Sequence, residues 1–458
     1  MIVMKIGGSS LRSVESLQQV TEIICTAPDA QKIVVLSAVS GVTDHLIKSV
    51  RESLQTERRI RPLLDYLREL HRELVMAVVT DSSLRRHVSD EIEYLLSRLE
   101  KLLYGVAYTG ECTRRTWDLI VSMGERLAVQ LLAGCVCSRG REALALDADK
   151  IDVVAHGDFG YGNVDLEATA RLLPQHLNEP LQRSAIPVIT GFFGRTTEGH
   201  TITFGRGGTD YSAAVVAYAM NSRELQIWKD VDGFLTAAPD MVPTAKPLEY
   251  LAYEEAAELS YFGASILHPR TVEPLAKKRI PAVIKNTYSP DVAGTIVGPD
   301  KHQKDEVIKS VVANRKIGAL RIHGASLGQQ LGFLKQVVSA LSEAEINIIS
   351  VITAQTAVNF LLNKNDIPLS QRIIENLKIP YIDHLEPLMD VALIGVVGEG
   401  LVETRGLAAR VFTSVAAAGA NVEMITSGAS KVAQYFVIKE NYLQQTVQAV
   451  HAEFFGAP

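Results

Sequence analysis

The sequence predicts an α/β protein, in which residues 1–300 form a three-layer α/β/α sandwich around a parallel sheet and two ferredoxin-like α+β modules follow. Two observations lead to this prediction. Strand-like apolar runs are repeatedly followed by a glycine turn and a helical pattern, which is typical of parallel sheets with a site at their strand ends. The last third contains an internal repeat, since Gly332 and Gly406 are 74 residues apart, as are Asn347 and Asn421.

The composition limits the class of protein. The chain has 458 residues, 47% of them hydrophobic and 21% charged, which is ordinary for a globular protein of two or three domains. Its net charge of -6 favours neither a nucleic-acid nor a membrane partner. The cysteines include no C-x-x-C pair and indicate neither a disulfide framework nor a metal site. Because the chain opens on a strand and no apolar run is expected to span a membrane, we expect a cytoplasmic protein.

The first strand ends beside a glycine turn. Ile2–Ile6 has the pattern of a buried strand, residues 7–10 that of a turn and residues 13–25 that of an amphipathic helix. Lys5 therefore lies at a strand end, where its ammonium group can reach a phosphate that the backbone N–H groups of the turn also approach. The alternative is a surface lysine. The turn is not a Walker A loop, since G-x-x-x-x-G-K-[ST] is absent.

Hydroxyl and carboxyl groups follow the second strand. Ile33–Leu36 leads into a turn that contains Ser37 and Thr43, whose hydroxyls either bind a ligand or satisfy the turn backbone. Residues 49–108 are predicted to be a helical insertion with a solvated face, because Arg and Glu alternate there. Glu125 then heads an apolar helix, where a carboxylate either suits the helix dipole or holds a substrate ammonium group.

The central motif joins a strand, a glycine turn and a helix. Residues 186–193 are predicted to be a strand, and a hairpin leads from it into residues 201–204, which precede the turn Gly205-Arg206-Gly207-Gly208. We expect Thr209 or Asp210 to cap the next helix. Its free N–H groups favour an anion, and the planar guanidinium of Arg206 matches a carboxylate, although such turns also occur as plain connections.

Further along the chain, the strand Leu225–Trp228 runs into an acidic loop, residues 229–236, that contains Gly233. Such a loop either meets a nucleotide and its magnesium or is only a turn.

Each copy of the repeat contains an apolar helix before a strand, at 333–341 and 348–352 and again at 407–418 and 422–425. A second strand follows, at 357–362 and 432–438, and then a second helix, near 371–377 and 444–454. The duplicated pattern is β-α-β-β-α-β.

Taken in order, these motifs resemble those of the aspartate kinases in the amino-acid kinase family. The matching pieces cover most of residues 1–300 and are Lys5-Ile6-Gly7-Gly8-Ser9-Ser10, Val35-Leu36-Ser37, Gly41-Val42-Thr43, Gly124-Glu125-Arg126, the stretch Gly205-Arg206-Gly207-Gly208-Thr209-Asp210-Tyr211-Ser212-Ala213, Lys229-Asp230-Val231-Asp232-Gly233, residues 254–264 and Leu267-His268-Pro269.

The resemblance implies that ATP phosphorylates the β-carboxylate of L-aspartate, the first step towards lysine, threonine and methionine. Such a transfer needs charge neutralisation and alignment more than a covalent nucleophile. The implied catalytic residues are Lys5 and Asp210. The implied aspartate-binding residues are Ser37, Thr43, Glu125, Phe192, Arg206 and Thr209, with Arg206 on a carboxylate and Glu125 and Asp210 on the ammonium group. The implied ATP-binding residues are Lys5, Gly7, Gly8, Ser9, Lys229, Asp230, Gly233 and Leu235, with Mg2+ bridging the phosphates and no protein metal site.

Three positions depart from the pattern of the bacterial lysine-sensitive enzymes. Leu235, Asp240 and Ser265 stand where those enzymes usually carry Tyr, Arg and Lys around ATP, and the first change resembles plant monofunctional members. We expect an active aspartate kinase. The alternative is a catalytically weak or silent amino-acid sensor on the same fold. Because the chain stops after the second repeat copy, no fused homoserine dehydrogenase is expected.

The repeat resembles a pair of ACT domains, which are small-molecule regulatory modules, at 301–390 and 391–458. The resemblance implies an amino-acid effector near the helix after Gly332, bound by Leu327, Gln330, Phe333, Leu334, Ser350 and Gln355. Ser350 and Thr356 stand where lysine-sensitive relatives carry acidic side chains, so strong lysine inhibition is not expected; threonine, another amino acid or weak regulation remain open. Two modules used only for dimerisation are the alternative, and a homodimer or a higher homo-oligomer is expected in either case.

Overall fold

The computed structural model describes residues 1–263, 266–301 and 307–456, and the chain divides into two compact units. The first unit contains Met1–Phe234, Pro247–Ala257 and Ile266–Asp300. The second contains Leu235–Lys246 together with 258–263, 301 and 307–456.

The first unit is built on a mainly parallel sheet. The strands of this unit are β1 (Ile2–Ile6), β2 (Lys32–Leu36), β3 (Ala143–Leu146), β4 (Ala155–His156), β5 (Asn163–Val164), β6 (Ile186–Thr190), β7 (Phe193–Arg195), β8 (Thr201–Thr203), β9 (Leu225–Lys229), β10 (Tyr250–Ala252), β11 (Ala282–Asn286) and β12 (Thr295–Gly298). Of these, β4 and β5 form one separate two-stranded sheet, and β7 and β8 form another. The sheet order is β10-β12-β11-β9-β1-β2-β6-β3, and the strands from β11 to β3 are parallel. The predicted parallel α/β fold is confirmed, with β12 antiparallel to β11 towards one edge.

Helices cover this sheet. They are α1 (Val14–Thr26), α2 (Val42–Ser53), α3 (Ile60–Val78), α4 (Ser82–Thr109), α5 (Arg114–Val121), α6 (Met123–Ser138), α7 (Leu166–Gln182), α8 (Gly208–Ala219), α9 (Tyr253–Phe262) and α10 (Val272–Lys278). Ser13 caps α1 through a reciprocal pair of hydrogen bonds with Ser16. The predicted helical insertion forms α3 and α4, and their buried Leu67 and Leu99 share a core with Ile6 and Leu132. The insertion is therefore part of the unit's own core.

One helical stretch is long and apolar enough to cross a membrane by length and composition. It runs from Arg114 to Ser138, through α5 and α6, and 89% of its most apolar window is buried within the protein. This stretch differs from the sequence prediction, which contains no apolar run of membrane-spanning length. The burial is that of a core helix.

The second unit contains two antiparallel sheets. Its elements are β13 (Ser310–Asn314), β14 (Ile317–His323), α11 (Phe333–Glu343), β15 (Ile348–Thr353), β16 (Ala357–Asn363), α12 (Ile367–Asn376), β17 (His384–Leu388), β18 (Val391–Val397), α13 (Leu407–Ala417), β19 (Val422–Thr426), β20 (Ala433–Lys439) and α14 (Leu443–Phe455). The sheet orders are β15-β16-β14-β17 and β13-β18-β20-β19.

The two repeat copies have the same local geometry. Gly332 and Gly406 precede α11 and α13 with φ values of +80°, a conformation that glycine adopts without strain. The pairing of β15 shifts register between Ile348 and Ser350, and that of β19 shifts at the corresponding residues, Val422 and Met424. The structure therefore repeats as the sequence does.

One strand pairs with a strand of the other module. β13 lies at the start of the predicted first module (301–390) but pairs antiparallel with β18 of the second, with Asn314 opposite Leu393 and Ser310 opposite Val397. The domain limits at 300/301 and 390/391 stay predictions.

Candidate active site

Loops that follow adjacent parallel strands form the candidate site in the first unit. β9, β1, β2 and β6 are neighbours in that order, so the loops after them lie along one sheet edge. Close contacts join the loops, since a Cβ atom added to Gly8 would lie 2.9 Å from the Ala38 carbonyl oxygen and the N–H of Gly191 donates to the Leu36 carbonyl.

A buried carboxylate between two lysines lies at the first two of these strand ends. Lys5 Nζ is 2.6 Å from Asp210 Oδ1, and Lys229 Nζ is 3.5 Å from Asp210 Oδ2. Burial opposes ionisation of Asp210, but the two ammonium groups outweigh it and hold its pKa below the ordinary value. Burial, with repulsion from Lys5, lowers the pKa of Lys229. Two ammonium groups and one carboxylate leave one positive charge, which suits an anionic ligand.

The first turn of α8 differs from the prediction in two ways. Gly207, with a φ of +70°, occupies the cap position, and no side chain caps the helix. The capping prediction for Thr209 and Asp210 is wrong, because Thr209 packs against Gly191 and Asp210 faces the lysines. Since both Asp210 oxygens contact cations, Asp210 also lacks a free oxygen for a substrate ammonium group.

Glu125 is a buried carboxylate with one oxygen unused. Its Oε1 accepts a hydrogen bond from the Ala38 N–H at 3.2 Å, whereas its Oε2 is buried and has no partner in the described part of the chain. Burial raises the pKa of Glu125 to about 8, against the effect of its backbone hydrogen bonds. A Cβ atom on the preceding Gly124 would lie 3.5 Å from Thr43 Oγ1, and Ser37 and Thr43 are both half-buried in the adjoining loop. A cationic group of a ligand would satisfy this oxygen.

Phe192 and Arg206 lie at the glycine turn before α8. Phe192 has a φ of +73°, and its carbonyl accepts the Phe204 N–H at 2.9 Å. Its ring lies close to Gly208, where an added Cβ atom would be 2.9 Å from it. Arg206 is exposed between two left-handed glycines, and no ion pair to a described residue engages its guanidinium. The guanidinium of Arg206 is therefore available to bind a ligand.

The predicted nucleotide residues are only partly gathered. Gly7 lies beside Lys5, since an added Cβ atom would be 3.5 Å from its Nζ, and the Ser9 carbonyl accepts the Tyr288 hydroxyl at 3.3 Å. Asp230 is exposed, and Gly233 has a φ of +126° and contacts Thr295.

Two of the three positions that depart from the bacterial pattern are assigned to the second unit. Leu235 and Asp240 belong to the second unit, where the Leu235 carbonyl accepts the Ser310 hydroxyl. Ser265 lies outside the described residues. Their bearing on the nucleotide stays a prediction.

Sequence reasoning missed two groups that shape this edge. Thr287, after β11, joins its hydroxyl to that of Ser10 at 2.8 Å; polar residues directly after an apolar strand were the available signal. Asp118 is buried in α5 and accepts the Thr203 N–H and hydroxyl, both at 2.8 Å, which fixes the strand that leads into the glycine turn. Nothing in the local sequence pointed to that pairing.

The predicted effector residues lie in the first repeat copy of the second unit. The side chains of Leu327 and Phe333 are buried in its apolar core. An effector would therefore meet the backbone groups of these two residues and not their side chains. Gln330, Leu334 and Gln355 are exposed, and Ser350 lies at the register shift of β15. The Gln355 carbonyl accepts the Gly328 N–H at 3.1 Å, which brings 327–330 beside 355. Their role with an effector stays a prediction.

A parallel sheet with two lysines at its strand ends suits a kinase of small molecules, because phosphoryl transfer needs positive charge beside the phosphate. The amino acid kinase family matches residues 1–286, and an ACT domain matches residues 394–454. The chain is 34% identical to "Aspartokinase 1, chloroplastic" of Arabidopsis thaliana, over 99% of this chain and 80% of that protein. It is 29% identical to the aspartokinase of Saccharomyces cerevisiae, over 99% and 93%. The chain therefore belongs to the amino acid kinase family, among the aspartokinases with ACT domains.

Solved structures agree with this assignment. Aspartokinase III of E. coli in complex with aspartate and ADP superposes with a TM-score of 0.83 at 28% identity, covering 99% of this chain and 100% of that chain. The same enzyme in complex with lysine and aspartate gives a TM-score of 0.84 at 28% identity, covering 99% of each chain.

Proposed function

We propose that this protein is an aspartate kinase that uses ATP to convert L-aspartate to 4-phospho-L-aspartate. The observation that carries the proposal is the unpartnered Oε2 of Glu125 at the same sheet edge as the pair of lysines. A ligand with an ammonium group at one end and an acceptor carboxylate at the other complements both features. The E. coli relative was solved with aspartate and ADP, and this supports the assignment.

Each residue has a physical task in this proposal. Glu125 binds the substrate ammonium group, with Ser37, Thr43 and Thr209 around it, Phe192 forms one wall, and Arg206 binds the α-carboxylate through two parallel hydrogen bonds. A β-carboxylate oxygen attacks the γ-phosphorus of ATP, the bond from that phosphorus to the bridging oxygen breaks, and ADP leaves. The β-carboxylate is ionised at neutral pH, so no strong general base is needed.

The charges at the strand ends favour this transfer. Lys5 and Lys229 neutralise the negative charge on the phosphoryl oxygens, while Asp210 keeps both ammonium groups in place. We assign the backbone N–H groups of Gly7, Gly8 and Ser9 as further donors to the phosphates. Asp230 and Gly233 are assigned to the loop beside the nucleotide, and Leu235 is assigned as a further nucleotide contact. We therefore place the nucleotide at β9 and β1 and aspartate at β2 and β6.

Magnesium fits this site as a partner of the ATP phosphates. In the ranges that the structure describes, no three His, Cys, Asp or Glu side chains gather as a metal cage. Mg2+ commonly keeps several waters and binds one or two carboxylates plus phosphate oxygens. Asp230 is the carboxylate that the site offers it, since both Asp210 oxygens contact lysines, and the bound ion would supply neutralisation of phosphate charge.

We further propose regulation by an amino acid bound at the first ACT-like copy, in a cytoplasmic homodimer or larger assembly. The product would enter the synthesis of lysine, threonine and methionine. The E. coli relative was also solved in complex with lysine and aspartate, and this supports an amino-acid effector in general. Absence of homoserine dehydrogenase activity stays a prediction.

An assay of ADP release with ATP, magnesium and aspartate tests the proposal. We expect turnover that requires aspartate and that is lost in Lys5→Ala, while glutamate in place of aspartate gives little. Folded protein that binds aspartate but releases no ADP at millimolar substrate would contradict the kinase and favour the amino-acid sensor.

A further inference from the structure

The turn that carries Arg206 is held from outside by a short segment with no role in the proposal above. This segment is His268-Pro269-Arg270, where His268 caps a 3-10 turn over Pro269–Thr271. The His268 ring Nδ1 accepts the backbone N–H of Arg270 at 3.3 Å, which holds the ring against the backbone of this turn. We call this segment the brace.

His268 covers the glycine on which the turn depends. A Cβ atom added to Gly207 would lie only 2.1 Å from His268 Cγ and 2.2 Å from Cδ2. Gly207 also has a φ of +70°, so the ring and the backbone conformation both require glycine here.

Arg270 joins two loops through their carbonyl groups. Its Nη1 donates to the Phe204 carbonyl at 2.7 Å, and its Nη2 donates to the Gly162 carbonyl at 2.7 Å and to Asn163 Oδ1 at 2.9 Å. Its guanidinium carbon lies 4.4 Å from the centre of the Tyr211 ring in α8. Arg270 thus contacts the residue before the turn and a residue in the helix after it.

Arg270 forms no ion pair with a carboxylate among the described residues. Its partners are carbonyl and amide oxygens and an aromatic face. The guanidinium therefore adds positive potential beside the turn, where no described residue forms an ion pair with the exposed Arg206 that could set the direction of its side chain. The backbone at Gly205 and Gly207 sets that direction, and the brace fixes that backbone.

We propose that Arg270 is a positioning residue that holds the Gly205–Gly208 turn in its anion-binding conformation and thereby sets the affinity for the substrate carboxylate. This inference rests on the proposed function for its substrate. Its physical basis is the planar fork, because one guanidinium bridges two carbonyl groups at fixed spacing and an ammonium group cannot.

Substitution of Arg270 by Lys and by Ala tests the inference, with Arg183→Ala as the control. Arg183 lies in the same unit, is partly exposed and pairs with Glu179 and Glu142 away from the turn. We expect Arg270→Lys, which keeps the charge, to raise the KM for aspartate about tenfold, with the KM for ATP and kcat within about threefold of wild type. Arg183→Ala should leave all three unchanged. Wild-type kinetics in Arg270→Lys with a defect in Arg270→Ala would show a role of charge alone and overturn the proposal, as would equal rises in both KM values.

Amide hydrogen exchange of peptides covering 204–211 gives a readout that does not need activity. We expect faster exchange in Arg270→Lys than in wild type and in Arg183→Ala, with unchanged exchange in β1 and β2. Unchanged exchange at 204–211 would overturn the proposal. Wild-type protein that fails to phosphorylate aspartate would count against the proposed function, and exchange would still decide the role of Arg270.

Discussion

At the scale of single residues, Lys5 combines a predictable position with an unpredictable partner. Its place at the end of an apolar strand, before two glycines, is legible in the sequence. Its contact with Asp210 joins residues more than two hundred positions apart, and local patterns carry no information about such a pairing. Sequence reasoning therefore singled out Lys5 but not its contact with Asp210, which it assigned to a cap and, through the resemblance, to catalysis and to the substrate ammonium group.

Lys5→Ala is expected to lower kcat by about 100-fold or more, because it removes a buried positive charge aimed at the transferring phosphoryl group. Steady-state kinetics with ATP and aspartate measure the effect. Lys48→Ala, at an exposed lysine paired with Glu52, is the matched control and should keep the wild-type rate. Activity of Lys5→Ala near that of the control would remove Lys5 from the mechanism.

Glu125 makes the unliganded protein less stable as pH rises. Its folded pKa of about 8 lies above the unfolded value, so the folded state retains a proton that the unfolded state has lost. Its contribution to stability is complete at low pH and disappears as pH rises through about 8. We expect Glu125→Gln to match wild type in urea unfolding at pH 5 and to exceed it by about 1 kcal/mol or more at pH 8.5.

The same variant should bind aspartate poorly, since an amide cannot neutralise the ammonium group. Aspartate should therefore raise the melting temperature of wild type but hardly that of Glu125→Gln. Equal thermal shifts by aspartate in the two proteins would argue against the assigned contact.

At the scale of elements, type and order were predictable where the pattern was strong. The elements that follow the expected periods closely are β1, β9, α1 and the paired repeat helices. The start of α8 was not predictable from the sequence, because two left-handed glycines and a contact of Thr209 with Gly191 replace the usual side-chain cap. The packing of α3 and α4 onto α6 was also hidden, since a charged outer face resembles that of an independent insertion.

His71 in α3 should make the protein sensitive to mild acid. Its ring is buried, with Nδ1 bonded to the Leu67 carbonyl at 2.7 Å and Nε2 without a partner among the described residues. Burial holds its pKa below the ordinary value, so stability falls as pH drops below about 6.5, where the unfolded state takes up a proton. We expect the free energy of unfolding in urea to fall between pH 7.5 and pH 5 by about 1 kcal/mol less in His71→Leu than in wild type. His87→Leu, at an exposed histidine of α4, is the control and should keep the wild-type pH dependence.

At the scale of the whole molecule, catalysis and regulation are assigned to separate units, so they can be perturbed separately. The proposed aspartate and phosphate contacts lie in the first unit, apart from Leu235, and the predicted effector residues lie in the second. Ligand identity in the second unit was not predictable, because the residues selected there include core side chains such as Phe333.

Lysine is expected to inhibit weakly, because Ser350 and Thr356 offer no charge to a second ammonium group. Initial rates with lysine, threonine and methionine, singly and together, measure this. Ser350→Asp should increase inhibition by lysine several-fold, whereas Thr353→Asp, an exposed position on the same strand, should not. Half-inhibition of the wild type by micromolar lysine would contradict the prediction.

The pairing of β13 with β18 has a consequence for how this chain can be shortened. Asn314 and Leu393 lie opposite each other although residues 315–392 intervene between them in the sequence. Excising residues 315–390 and inserting a tight bend would convert a long-range pairing into an ordinary hairpin and leave its host sheet continuous. A cut after residue 390 would instead remove the strand with which β13 pairs, so we expect the excised chain, and not the truncated one, to keep this sheet intact.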